Sequence, residues 1–180
     1  MAELTPVQLL RDMARRCHAQ AAELPEGTDM EAAWHGIGFR LGEQSLVVAM
    51  SEVSEILQAP ATTRLPNVQP WVLGVANVRG RLIPLVDLSR FFGFSEARHP
   101  RSGQPVLVME QGEQTEGLLV DALDGVQHFD DADFNPATPD VDERLKPFIR
   151  GQYQRDQRHW ALISLTALYA DRRFQEVALS

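Results

Sequence analysis

Asp121 and Asp124 form the one carboxylate pair beside an apolar strand in this 180-residue chain. Two carboxylates can divide acid and base roles when a cleft raises the pKa of one of them. Here Asp124 is followed by Gly125, and Asp-Gly reads first as a turn. The histidines His18, His35, His99, His128 and His159 show no HxxxH, HxH or HExxH spacing. Cys17 is the single cysteine, so it has neither a disulfide partner nor a CxxC mate, and no metal site is expected. There is no GxSxG elbow, P-loop or GxGxxG. Gly74 and Gly80 lead into a strand rather than a helix, so they present no helix N-terminus to a phosphate. With no set of nucleophile, base and orienting group, neither an enzyme nor a cofactor is expected.

What remains is charge on display. Arg79-Gly80-Arg81 interrupts the most apolar part of the chain, residues 74–93. A buried strand rejects two guanidinium groups, but a hairpin tip tolerates them because they reach water. Gly80 supplies the positive φ that such a reversal needs. Upstream, Glu55 sits between Val53 and Ile56. If the hairpin folds over that segment, Arg79 reaches Glu55 and is held in one direction. For an arbitrary pair, two solvated charges are the usual outcome.

The elements that must position these residues follow from periodicity. Thr5-Pro6 is a helix start, and Leu10, Met13, Ala14, Cys17, Ala21 and Leu24 recur at helical spacing. Residues 1–33 therefore read as an amphipathic helix with a linker, and residues 34–180 as the main domain. Ile37, Phe39 and Leu41 alternate as a half-buried strand, and residues 46–50 return from it. Val53, Ile56 and Leu57 have helical spacing, which predicts a short turn or helix. Residues 71–78 and 82–88 are the strands around Arg79-Gly80-Arg81. Pro84 cannot donate to a ladder, so its strand is expected at an edge or a bulge. Residues 105–110 and 117–122 form a second hairpin, which residues 126–129 extend. Residues 148–154 and 159–164 form a third, and residues 165–176 a closing helix. Short strands with Gly-rich turns predict a mainly β fold of two small five-stranded barrels, one before residue 96 and one after residue 104. Each is too small for a core of its own, so they are expected to share one.

The net charge is -8, which argues against a phosphate-neutralising surface. The charge is uneven: residues 64–101 hold six arginines against Asp87 and Glu96, while residues 130–143 hold six acids and no base. Such polarity can orient a protein partner. A nucleic-acid-binding barrel using residues 64–101 is the alternative, but Trp71, Phe91 and Phe92 are expected to face the core rather than stack on bases. No apolar run approaches a membrane span and no secretory leader is visible, so a cytoplasmic protein is expected.

Gly74, Asn77, Arg79, Gly80, Pro84, Asp87 and Leu88 fit the signature G-x-x-N-x-R-G-x-x-x-P-x-x-D-L. With Val53-Ser54-Glu55-Ile56 before it and Gly117-Leu118-Leu119-Val120-Asp121 after it, the chain resembles the CheW-like family of chemotaxis scaffold proteins over residues 36–169. The extra N-terminal helix and the Pro147-Phe148-Ile149 approach resemble the PilI-type branch, which serves type IV pilus chemosensory systems. The resemblance implies two SH3-like barrels and a non-catalytic adaptor at membrane-bound receptor arrays. It implies two partners: a methyl-accepting chemoreceptor tip, held between the barrels, and the regulatory domain of a CheA-type histidine kinase. By position, Arg79 would be the receptor-side arginine, oriented by Glu55. Val53, Asn77, Val78 and Gly80 would line the same neighbourhood, with Arg81 displayed beside them.

Overall fold

A computed structural model describes residues 33–96, 103–112, 114–155 and 157–179. The expected N-terminal helix, with His18 and Cys17, and the expected connection that holds His99 lie outside the described residues. The rest is mainly β, in two sheets. The first sheet contains β1 (Ala33–Leu41), β2 (Gln44–Ala49), β9 (Ala122–Asp130), β10 (Phe134–Asn135), β11 (Ile149–Arg155) and β12 (Arg158–Ile163), in the order β10-β11-β12-β2-β1-β9. The second contains β3 (Glu55–Gln58), β4 (Thr62–Thr63), β5 (Val72–Val78), β6 (Arg81–Asp87), β7 (Pro105–Gln111) and β8 (Gln114–Leu119), in the order β3-β7-β8-β6-β5-β4. Each sheet is thus five full strands, as expected, plus a strand of two residues at one edge.

Alternation explains the cores. Ile37, Phe39 and Leu41 of β1 and Leu46 and Val48 of β2 face Leu107, Met109, Leu118 and Val120 in one cluster that both sheets supply. The second sheet also curls around its own cluster, which includes Leu73, Ile83, Leu85, Val106 and Leu119. The first curls around Val47, Phe129, Tyr153 and Trp160. This is the expected pair of barrel-like subdomains with a shared core. The aromatic cluster needs Gly38, where a Cβ would stand 2.8 Å from a ring atom of Trp160.

Several expectations about individual elements are corrected. The sheets do not follow the two sequence blocks. β1 and β2 join the C-terminal strands, with β2 parallel to β12, while β7 and β8 join β3 and β6. β9 does not extend the β7–β8 hairpin but pairs with β1, because its register lets Phe129 lie opposite Trp34. Residues 53–57 are not helical. A 3-10 turn, Met50–Glu52, precedes strand β3, and Leu57 and Ile56 fall on opposite faces, as a period of two requires. Pro84 is not on an edge strand, since β6 lies between β5 and β8. It stands just before the parallel pairing with β8 begins at Leu85, and the ladder irregularity lies on β5, between Val72 and Gly74. The closing helix is two: α2 (Leu165–Tyr169) and α3 (Arg172–Gln175), following α1 (Leu88–Phe91). The break comes at Asp171, whose carboxylate accepts from Arg173 N and starts a new helix. Among the described residues, no helix is long and apolar enough to cross a membrane.

Candidate partner-binding site

The β5–β6 reversal is set by its own side chains. Val78 pairs with Arg81, leaving Arg79 (φ 52°) and Gly80 (φ 84°) as a two-residue turn. Positive φ at both central positions is the type I′ geometry that matches strand twist. Asn77 Oδ1 accepts from Gly80 N at 2.8 Å and locks the turn. Gly80 adopts this conformation freely, but Arg79 pays about 1 kcal/mol for it. An arginine kept where Asn or Gly would sit without strain points to a use for its side chain.

That side chain reaches Glu55: Arg79 Nη2 stands 2.7 Å from Glu55 Oε1. The two strands concerned are not neighbours. β3 is first and β5 fifth in the sheet, so the pair bridges the seam where the curled sheet opens. The guanidinium is 79% exposed and the carboxylate 26%. A pair so wet contributes at most about 1 kcal/mol, so its effect is one of direction more than of stability. Alongside, Arg81 Nη1 lies 3.0 Å from Glu110 Oε1, and its Nη2 donates to Thr115 Oγ1 at 2.7 Å. Together these residues line a groove of about 310 Å³, with Ser54, Val78, Ile83 and Val108 as its floor and wall.

The structure therefore brings together Glu55, Asn77, Val78, Arg79, Gly80 and Arg81. Val53 packs instead against the main core. Sequence reasoning missed Ser54, Glu110 and Thr115. Ser54 N and Oγ both donate to Val108 O, which pins the chain where it crosses from one sheet to the other. The only available signal for Glu110 and Thr115 was their place, directly paired near the end of the β7–β8 hairpin. Leu82, next to Arg81, is 73% exposed.

The residues weighed for chemistry have structural partners. Asp121 Oδ2 accepts from Gly42 N at 2.7 Å and Ser89 Oγ at 2.6 Å, tying the β1–β2 turn to α1. Asp87 caps α1 through Arg90 N, and its burial raises its pKa above the usual carboxylate value. Asp124 faces Arg40 at 3.6 Å. His35 and His128 are exposed cross-strand neighbours, and His159 is exposed. No cluster of three metal-ligating side chains occurs among the described residues. Trp71 packs edge-on to Phe91 and stacks on Phe174, while Phe92 is buried, so these aromatics form no platform for bases.

Arg79 thus projects from the β5–β6 turn with its direction set by Glu55. The model of the CheW-like domain matches residues 35–173. The chain belongs to the CheW-like family. Protein PilI of Pseudomonas aeruginosa is 43% identical over 175 residues, covering 97% of each chain. A probable chemotaxis protein CheW of Rhizobium etli is 33% identical over 136 residues, 75% of this chain and 86% of that one. Among solved structures, the scaffolding protein TtCheW of Thermoanaerobacter tengcongensis superposes with a TM-score of 0.67 at 26% identity, covering 82% of this chain and 99% of that one. The CheW-like family is one of scaffold and adaptor proteins, and the full-length similarity to PilI agrees with the branch expected from the sequence. Within the family signature, Asn77 and Gly80 build the turn, Asp87 caps α1, and Arg79 is left projecting, while Asp121 of the downstream motif ties the β1–β2 turn to α1.

Proposed function

We propose that this CheW-like protein is a non-catalytic adaptor that couples a methyl-accepting chemoreceptor to a CheA-type histidine kinase. It would work on the cytoplasmic side of membrane-bound receptor arrays, in a system controlling type IV pili and twitching motility. The observation that carries the reading is Arg79, held at positive φ and aimed by Glu55. A guanidinium so fixed loses less freedom on binding, and it matches carboxylates and carbonyls on a protein partner. Arg79 with Glu55 is the receptor-side determinant, and Asn77, Val78, Gly80 and Arg81 shape its surroundings, while Val53 packs on the main core. The division into an N-terminal segment 1–33 and a domain 34–180 belongs to the same proposal. The similarity to PilI over 97% of both chains supports the pilus pathway.

The test is co-purification of the full chain with a receptor-tip fragment and with the kinase regulatory domain. Wild-type protein retains both and turns over no substrate. Arg79→Glu loses receptor retention while its circular dichroism spectrum stays native. Full retention by Arg79→Glu removes the role given to Arg79.

A further inference from the structure

His35 and His128 stand far apart in the chain, so no sequence spacing joins them. The antiparallel register of β1 and β9 sets them directly opposite each other. Opposed residues of this kind share a face of the sheet, with Cβ atoms about 5 Å apart. Both side chains are exposed, and their rings meet edge to face with centroids 4.6 Å apart at 84°.

The backbone beneath the two rings is pinned from the other side of the sheet. Trp34 precedes His35, Phe129 follows His128, and the two form the adjacent cross-strand pair, pointing the opposite way. Both stack on Tyr153, at centroid distances of 4.8 Å for Trp34 and 4.6 Å for Phe129, and Phe129 is buried. Arg155 Nη1 donates to His128 O at 2.6 Å and holds the strand there. The irregularity in the β1–β9 ladder lies further along, between Gly38 and Phe39. The freedom that remains is rotation of the exposed imidazoles about their side-chain bonds.

A neutral imidazole offers one nitrogen lone pair, and two of them side by side suit zinc and the neighbouring divalent transition metals. When two imidazole nitrogens each lie about 2 Å from one ion at the tetrahedral angle, the ring centroids stand about 5 Å apart. The centroids are 4.6 Å apart here, so turning the rings brings both nitrogens onto one ion without moving the strands. We infer that His35 and His128 form a two-imidazole site for a divalent transition-metal ion of the zinc type, which ties the edge strand β9 to β1. Asp130, exposed and next on the same face of β9, adds negative charge nearby. No third ligating side chain joins the pair among the described residues, so water fills the other positions. The affinity is accordingly far below that of a four-ligand site, with a Kd on the order of 10 µM. The site lies outside the adaptor reading and does not depend on it.

The experiment is thermal unfolding of the full chain, followed by circular dichroism with and without ZnCl2. Unfolding separates the two histidines, so the ion favours the folded state. At about 0.1 mM ZnCl2 the wild-type Tm rises by about 4 °C, the shift that a site of this affinity gives. His35→Phe and His128→Phe each keep a ring for the edge-to-face contact and lose the rise. Both variants retain Cys17, His18, His99 and His159, so metal taken up elsewhere in the chain cancels in the comparison. In NMR spectra of wild type, the imidazole signals of His35 and His128 shift together as ZnCl2 is added. No rise in wild type, an equal rise in either variant, or unmoved imidazole signals overturns the inference and leaves the pair a packing contact only.

Discussion

Asn77 contributes to the candidate site through one hydrogen bond, from Gly80 N to its Oδ1 at 2.8 Å. Asn77→Ala removes it at an exposed position and costs about 1 kcal/mol, measured by denaturant titration. Gly80→Ala costs a similar amount for a different reason. No atom lies within 4 Å of the added Cβ, so the whole penalty is backbone strain at φ 84°. Glu116 gives a prediction in pH. Its folded pKa is raised by burial, so the folded state holds its proton more tightly than the unfolded chain. The sign follows from linkage: the penalty is full at neutral pH and is relieved as pH falls through the folded pKa toward the ordinary value of 4.5. Stability of wild type relative to Glu116→Gln should therefore rise on acidification across that window. A constant difference between the two proteins would contradict the burial of Glu116. The turn residues were legible because Gly80 and the arginines punctuate an apolar run. Glu116 was not, because it occupies an ordinary strand position whose cost appears only once its neighbours are known.

At the scale of elements, the connection between the sheets is clamped by Glu52. Its carboxylate accepts from Thr166 Oγ1 (2.7 Å), Thr166 N (3.0 Å), Leu165 N (3.3 Å) and Ser164 Oγ (3.3 Å). An anion at the free N–H groups of α2 is favourable by hydrogen bonding and by the helix dipole together. Glu52→Ala should cost about 2 kcal/mol, a loss of roughly 4–8 °C in Tm. A change under 1 °C would show the clamp to be unimportant. This contact spans more than a hundred residues, and nothing local announces it. The same absence of local signal explains β3. Val53, Ile56 and Leu57 have helical spacing, yet β7 was available to pair with Glu55–Gln58, and tertiary pairing overrode the pattern. Most strands were readable from alternation and turns, but the partner of β7 was expected at 117–122 and is Gln114–Leu119, and the strand expected at 126–129 is longer, Ala122–Asp130. Their partners were not, because β1 pairs with β9 across some ninety residues of chain, a choice made by packing around Gly38 and Trp160.

For the molecule as a whole, the consequence is interdependence. The shared core takes Phe39 and Leu46 from one sheet, Leu107 and Leu118 from the other, and Leu165 and Leu168 from α2. A fragment of residues 34–96 keeps β1 and β2 but loses both of their outer neighbours, β9 and β12. It should remain unfolded by circular dichroism, and the domain should melt in one transition. Two separated transitions would mean that the barrels are independent. Interdependence also bears on function, since the crossover clamped by Glu52 and Ser54 leads directly into Glu55. The claim that most needs testing is that Arg79, fixed by this arrangement, holds a receptor to a kinase adaptor. The direct measurement is the affinity of the full chain for the receptor-tip fragment, for wild type and Arg79→Glu under identical conditions. The account predicts saturable binding by wild type and a loss of at least about tenfold in a variant that is still folded, the range expected for an interface arginine anchor. Equal affinity of the two proteins for the tip would contradict it.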